Sequence, residues 1–163
     1  MKNNLLVSLF LSILLTFNVF AAGSSDSGSS KTKTQYDMAV SHINAAKKLE
    51  QSDKLKKAKK RFEKAQKLLI QSNQKFPNKA DTLNYLGFTT RKLGDYETAE
   101  KYYLQGLTLK PDHKGINEYL GELYVQTNRL DKAKERLDVL KNCNCEEYKE
   151  LELIIKTRGS KVY

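Results

Sequence analysis

The chain has 163 residues, with 29 basic and 19 acidic side chains, a formal net charge of +10, two histidines, two cysteines and no tryptophan. Only Arg61, Arg91, Arg129, Arg136 and Arg158 supply guanidinium groups, so the bidentate base reading that nucleic-acid partners lean on is not provided for, and no nucleic-acid partner is expected. The excess is lysine, which reads first as solvated faces and second, on an exported protein, as contact with an anionic envelope surface.

In chain order, Lys2 precedes an apolar run from Leu5 to Phe20 and then small residues. That is the order of a secretory signal peptide, residues 1–21, with cleavage expected after Ala21. The run covers 16 residues and is interrupted by Ser8, Ser12, Thr16 and Asn18, short of the ~20 that a span needs. It directs the protein to the periplasm, or to the medium. Residues 22–35, AGSSDSGSSKTKTQ, are small and polar and read as a flexible linker. What remains is one domain of about 120 residues.

A helix is expected from Tyr36 to Lys48, with Tyr36, Ala39, Val40 and Ile43 on one face, and a break over Leu49 to Asp53. Leu55, Ala58, Phe62, Ala65, Leu69, Ser72 and Phe76 follow at steps of three and four, while Lys56, Lys57, Lys59, Lys60, Lys64 and Lys67 cover the other faces. This is an amphipathic helix with a cationic outside. A core stripe with a solvated basic face is the preferred reading, and a helix lying on a membrane surface the other.

A shift of 34 residues superimposes the sequence on itself. Phe62 falls on Tyr96 and Leu130, Ala65 on Ala99 and Ala133, Leu69 on Tyr103 and Leu137, Pro77 on Pro111, and Leu86-Gly87 on Leu120-Gly121. Gly94 falls on Asn128, the residue that best replaces glycine at a left-handed helix end. Each unit reads as helix, turn, helix. Asn78 or Asp81 is expected to cap one first helix and Asp112 the next, with Asp95 and Asp131 opening the second helices. Glu146 to Lys156 reads as a final helix, with Tyr148, Leu151, Ile154 and Ile155 on one face and an acidic start and basic end that suit the helix dipole.

These residues resemble the tetratricopeptide repeat family. Residues 80–113 carry Leu83, Leu86-Gly87, Ala99, Tyr103, Gly106 and Pro111 at the family's large, small and proline positions. Residues 114–145 carry Leu120-Gly121, Tyr124, Ala133 and Leu137, and depart at Asn117, Leu140 and Cys145, as a worn last repeat. Residues 36–79 match only from Phe62 to Pro77, as a degenerate first repeat. The resemblance implies an all-α fold: a short right-handed solenoid of antiparallel helix pairs, about 2.5–3 repeats, closed by a capping helix over 146–158. It assigns Gly87, Gly94, Ala99, Pro111, Gly121 and Ala133 to the repeat framework.

No catalytic arrangement is legible, and no cofactor or metal site is expected. His42 and His113 are far apart, without metal-ligand spacing, and His113 reads as an exposed turn residue. Cys143-Asn144-Cys145 leaves three readings open: a local disulfide shaping the turn into the last helix, two packed or free thiols, or a redox or soft-metal site. The resemblance implies a non-catalytic adaptor that binds a protein or peptide along its concave face. Asn84, Phe88 and Arg91, with Glu118, Glu122 and Val125 one repeat later, are the side chains left over from the packed face and are the candidate groove, against the alternative that Phe88 is core. Rival functions are thiol chemistry at Cys143 and Cys145, or a basic surface that binds anionic envelope lipid or glycan. Dimerisation of so short an array is left open.

Overall fold

The computed structural model describes residues 33–158. The expected signal peptide, its cleavage site and the linker up to residue 32 lie outside the described residues. The linker reading extended to residue 35, but Thr34 and Gln35 are part of a helix start. Thr34 Oγ1 accepts from the Asp37 amide at 3.1 Å and Asp37 Oδ2 accepts from the Thr34 amide at 2.9 Å, a capping box that satisfies two amides at once.

The described residues form seven α-helices: α1 (Gln35–Gln51), α2 (Leu55–Lys75), α3 (Ala80–Lys92), α4 (Tyr96–Leu109), α5 (Lys114–Gln126), α6 (Leu130–Leu140) and α7 (Glu146–Lys156). No strand occurs among the described residues. The helices pair as α1/α2, α3/α4 and α5/α6, consecutive pairs stack, and α7 packs on α5 and α6. The fold is an all-α solenoid of helix pairs. The starts of α3 and α5 lie 34 residues apart, as do those of α4 and α6. The first pair is longer: α1 continues through Leu49 to Gln51, where a break was expected, and the chain turns at Ser52–Lys54 with Asp53 at φ +53°.

The apolar patterning explains the packing. Ala58, Phe62, Ala65 and Leu69 of α2 are buried, while the ends of the expected stripe, Leu55 and Phe76, remain exposed. A first core cluster joins Ile43, Phe62, Leu69, Leu83, Leu86 and Phe88 across α1–α3. A second joins Tyr103, Ile116, Leu120, Leu123 and Ile154 across α4–α7. Tyr119 packs against both.

Close approach and turning explain the framework residues. A Cβ on Gly87 would stand 2.5 Å from the Tyr103 ring of α4, and one on Gly121 would stand 2.5 Å from Leu151 of α7. Gly121 therefore makes room for the terminal helix rather than for the second helix of its own pair. Gly94 takes φ +96° and Asn128 φ +57° at the matching helix ends. The caps differ from expectation. Asp95 caps α4, accepting from the Thr98 amide at 3.0 Å. Asn78 turns left-handed at φ +59°, and neither it nor Asp81 caps α3. His113, not Asp112, caps α5: its Nδ1 accepts from the Ile116 amide at 3.1 Å, which leaves Nε2–H to donate to Asp81 Oδ1 at 2.9 Å. His113 is thus a largely buried staple between α3 and α5, not an exposed turn residue. Asn117, a departure from the repeat pattern, is buried and donates from Nδ2 to the carbonyls of Pro111 and His113.

Candidate functional site

The first helices of the three pairs and α7 line a cleft of about 550 Å³. Lys47, Glu50 and Gln51 enter it from α1, Leu55 from the start of α2, Phe88 and Lys92 from α3, Glu118, Tyr119 and Glu122 from α5, and Glu150 from α7. The repeat produces this arrangement: each first helix turns one flank toward its own pair and the other toward the same hollow.

Phe88 and Tyr119 form the floor, with ring centroids 4.8 Å apart, and Phe62 meets the other side of Phe88 edge-on at 5.8 Å. Lys47 lies over both floor rings, 4.9 and 5.3 Å from their centroids, and donates from Nζ to the Tyr119 hydroxyl at 3.0 Å. Lys92 pairs with Glu50 at 2.8 Å along one wall. Beneath the floor, the Arg91 guanidinium links α3 to α5: Nη2 pairs with Glu122 and Nη1 donates to Gln126 at 3.1 Å.

Two of the carboxyl groups, Glu118 and Glu122, are perturbed. Glu118, only 4 % exposed, is pushed up to about 10 by burial, with the hydrogen bond to Glu150 and the nearby Glu122 adding to the effect. At neutral pH it is a neutral acid that can donate as well as accept. Burial also raises Glu122, against the pull of Arg91. The cleft therefore offers apolar rings, the ammonium groups of Lys47 and Lys92, and carboxyl groups of which Glu118 is held neutral.

Six side chains were expected to form the groove, and their places differ. Phe88, Glu118 and Glu122 line the cleft. Asn84, Arg91 and Val125 do not; all six are buried, because packing of α3 on α5 consumes most of that face. Lys47, Glu50 and Gln51 were missed because α1 precedes the matching half of its repeat. Tyr119 and Glu150 were missed because they sit one step off the face projected from a single helix. Cys143 and Cys145 are joined by a disulfide, with Cα atoms 5.2 Å apart, at the turn between α6 and α7. No group of three or more potential ligands with metal-binding geometry occurs among the described residues.

No curated protein matches the sequence. The tetratricopeptide repeat family matches residues 90–152. Among solved structures, the Yersinia enterocolitica type III secretion translocator chaperone SycD is similar, with a TM-score of 0.54 and 17 % identity over 75 % of this chain and 83 % of that one. PcrH, in complex with the chaperone binding region of PopD, has a TM-score of 0.52 and 16 % identity over 75 % of this chain and 91 % of that one. The period, the small residues at the helix crossings, the stacked pairs and these matches agree on a tetratricopeptide-repeat fold, with the family itself matched over residues 90–152.

Proposed function

We propose that this protein is a non-catalytic adaptor of the cell envelope that holds a segment of a partner protein in the cleft between α1, α3, α5 and α7. The observation that carries the reading is the cleft itself: a hollow with an aromatic floor, drawing side chains of both charge signs from four first-position helices. Such a surface supplies apolar anchoring in the centre and polar selection around it. Support comes also from the similar fold of PcrH, which is described as bound to the chaperone binding region of PopD. The placement in the envelope, most simply the periplasm, rests on the N-terminal signal pattern.

A photo-crosslinking residue tests the cleft. Placed at Gln51 on the rim, it is expected to capture a protein partner in intact cells; placed at Gln105 on the exposed side of α4, it is not. Equal capture from both positions, or capture from Gln105 alone, overturns the assignment. Fusing residues 1–35 to a reporter that is active only after export tests the location, and an inactive fusion rejects it.

A further inference from the structure

One helix holds most of the charge imbalance. α2 carries eight basic side chains and a single acidic one, Glu63, so 21 residues contribute seven of the chain's ten net positive charges. Lys56, Lys60, Lys64 and Lys67, spaced by four, four and three, run along the side opposite the buried Ala58, Phe62, Ala65 and Leu69. They form a ridge ~16 Å long. Lys57, Lys59 and Arg61 flank it, and all are exposed.

A general preference for lysine does not explain this. Several other exposed lysines are placed beside acids, Lys101 with Glu97, Lys134 with Asp131, Lys141 with Asp138, Lys149 with Glu146 and Lys156 with Glu152, and those without an acid partner, such as Lys48, Lys79, Lys110 and Lys114, are scattered rather than gathered on one face. Among the described residues no ion pair includes a cation of α2, and α2 starts with no acidic residue and no side-chain cap. Lys56 and Lys57 in the first turn oppose the helix dipole. The isolated helix is thus left with repulsion that an external anionic surface would relieve. Large apolar side chains lie beside the ridge: Leu55 is 59 % and Ile70 40 % exposed.

We propose that the outer face of α2 docks on an anionic lipid bilayer, with the lysine ridge at the headgroups and Leu55 and Ile70 entering the interface. Lysine ammonium groups on long stems meet lipid phosphates as point charges and need no fixed geometry. The ridge lacks the guanidinium and aromatic pairs that grip nucleic acid, which favours lipid over a polynucleotide. The lysine ridge contributes no residue to the cleft, which Leu55 alone of α2 borders, so the two surfaces meet only at that residue.

Co-sedimentation of the full chain with phosphatidylcholine vesicles, and with equimolar phosphatidylcholine and phosphatidylglycerol vesicles, tests the proposal. The N-terminal stretch is the same in every variant, so the comparison between variants isolates the charge of α2. The anionic vesicles are expected to bind more tightly, with the preference lost at high salt. Replacing Lys56, Lys60, Lys64 and Lys67 by Gln is expected to weaken anionic binding at least ~100-fold. The control Lys101→Gln/Lys134→Gln/Lys141→Gln/Lys149→Gln, which removes as much charge elsewhere, keeps most of it. No preference for the anionic vesicles, equal losses in the two variants, or tighter binding to duplex DNA than to the vesicles would each overturn the proposal. Circular dichroism of each variant separates lost binding from lost folding.

Discussion

Glu118 lines the cleft with its carboxyl beside Glu150 and Glu122, and its proton is held up to about pH 10 by burial. The unfolded chain releases the same proton near the ordinary 4.5. Between those values the folded state binds more protons than the unfolded one, so stability falls as pH rises; below 4.5 both states are protonated and the penalty is absent. Glu118→Gln keeps the shape and removes the ionisation. Its melting temperature should exceed the wild type's by ~5 °C near pH 8, and the gap should close near pH 4.5. A gap that does not change with pH would mean that Glu118 is not protonated in the folded protein. Gly87 shows the opposite sensitivity, to volume. Alanine would raise helix propensity by about 1 kcal/mol, but its methyl would stand 2.5 Å from a fully buried Tyr103 ring. Overpacking outweighs propensity there, and Gly87→Ala should lose ~2 kcal/mol in urea denaturation. A neutral or stabilised variant would show that Tyr103 can move aside.

Between elements, the contact of α3 with α5 depends on a buried ion pair. Arg91 and Glu122 are each 2 % exposed, so each desolvates the other and neither is a surface contact. Removing one partner leaves an uncompensated charge, or a forced protonation, at ~3 kcal/mol or more; replacing both by apolar side chains of similar size can be nearly neutral. Arg91→Met and Glu122→Leu should therefore each destabilise, and the double variant should recover most of the loss in a double-mutant cycle. Additive losses would show that the two side chains do not depend on each other. The same contact explains what the sequence could reveal. Pairing, period and the small residues at crossings were readable, because helix spacing and close approach impose residue type at fixed intervals: Gly87 and Gly121, Ala99 and Ala133, Gly94 and Asn128. The groove was only half readable. One face of α3 could be projected from spacing, but whether Phe88 or Arg91 met solvent depended on how near α5 came. The cations and acids of α1 and α7 that complete the cleft lie outside the clear repeat. The cap on α5 was misplaced by one residue, because a histidine ring accepting from an amide imitates an aspartate cap only when its other nitrogen finds Asp81.

At the scale of the whole molecule, helix pairs pack mainly on their neighbours, with Lys47 reaching from the first pair to Tyr119 in the third, so stability is close to a sum of pair terms and interface terms. The two core clusters meet through Tyr119, which packs against both, lies tilted against Phe88 and accepts from Lys47. The halves are unequal. Helices α1 and α2 run 17 and 21 residues, whereas α5, α6 and α7 run 13, 11 and 11. Tyr119→Ala removes the shared ring and its contact with Phe88, a loss of about 2–3 kcal/mol, below that of a fully buried aromatic because Tyr119 is only partly buried. Because α5 carries the missing ring and its neighbours are short, that loss should fall on the α5–α7 end. Native-state hydrogen exchange should find amides of α5, α6 and α7 exchanging faster in the variant, while amides near Phe62 and Leu69 in α2 keep more of their protection. An equal fall in protection from α1 to α7 would mean that the array unfolds as one cooperative unit, and that the clusters are coupled by more than Tyr119.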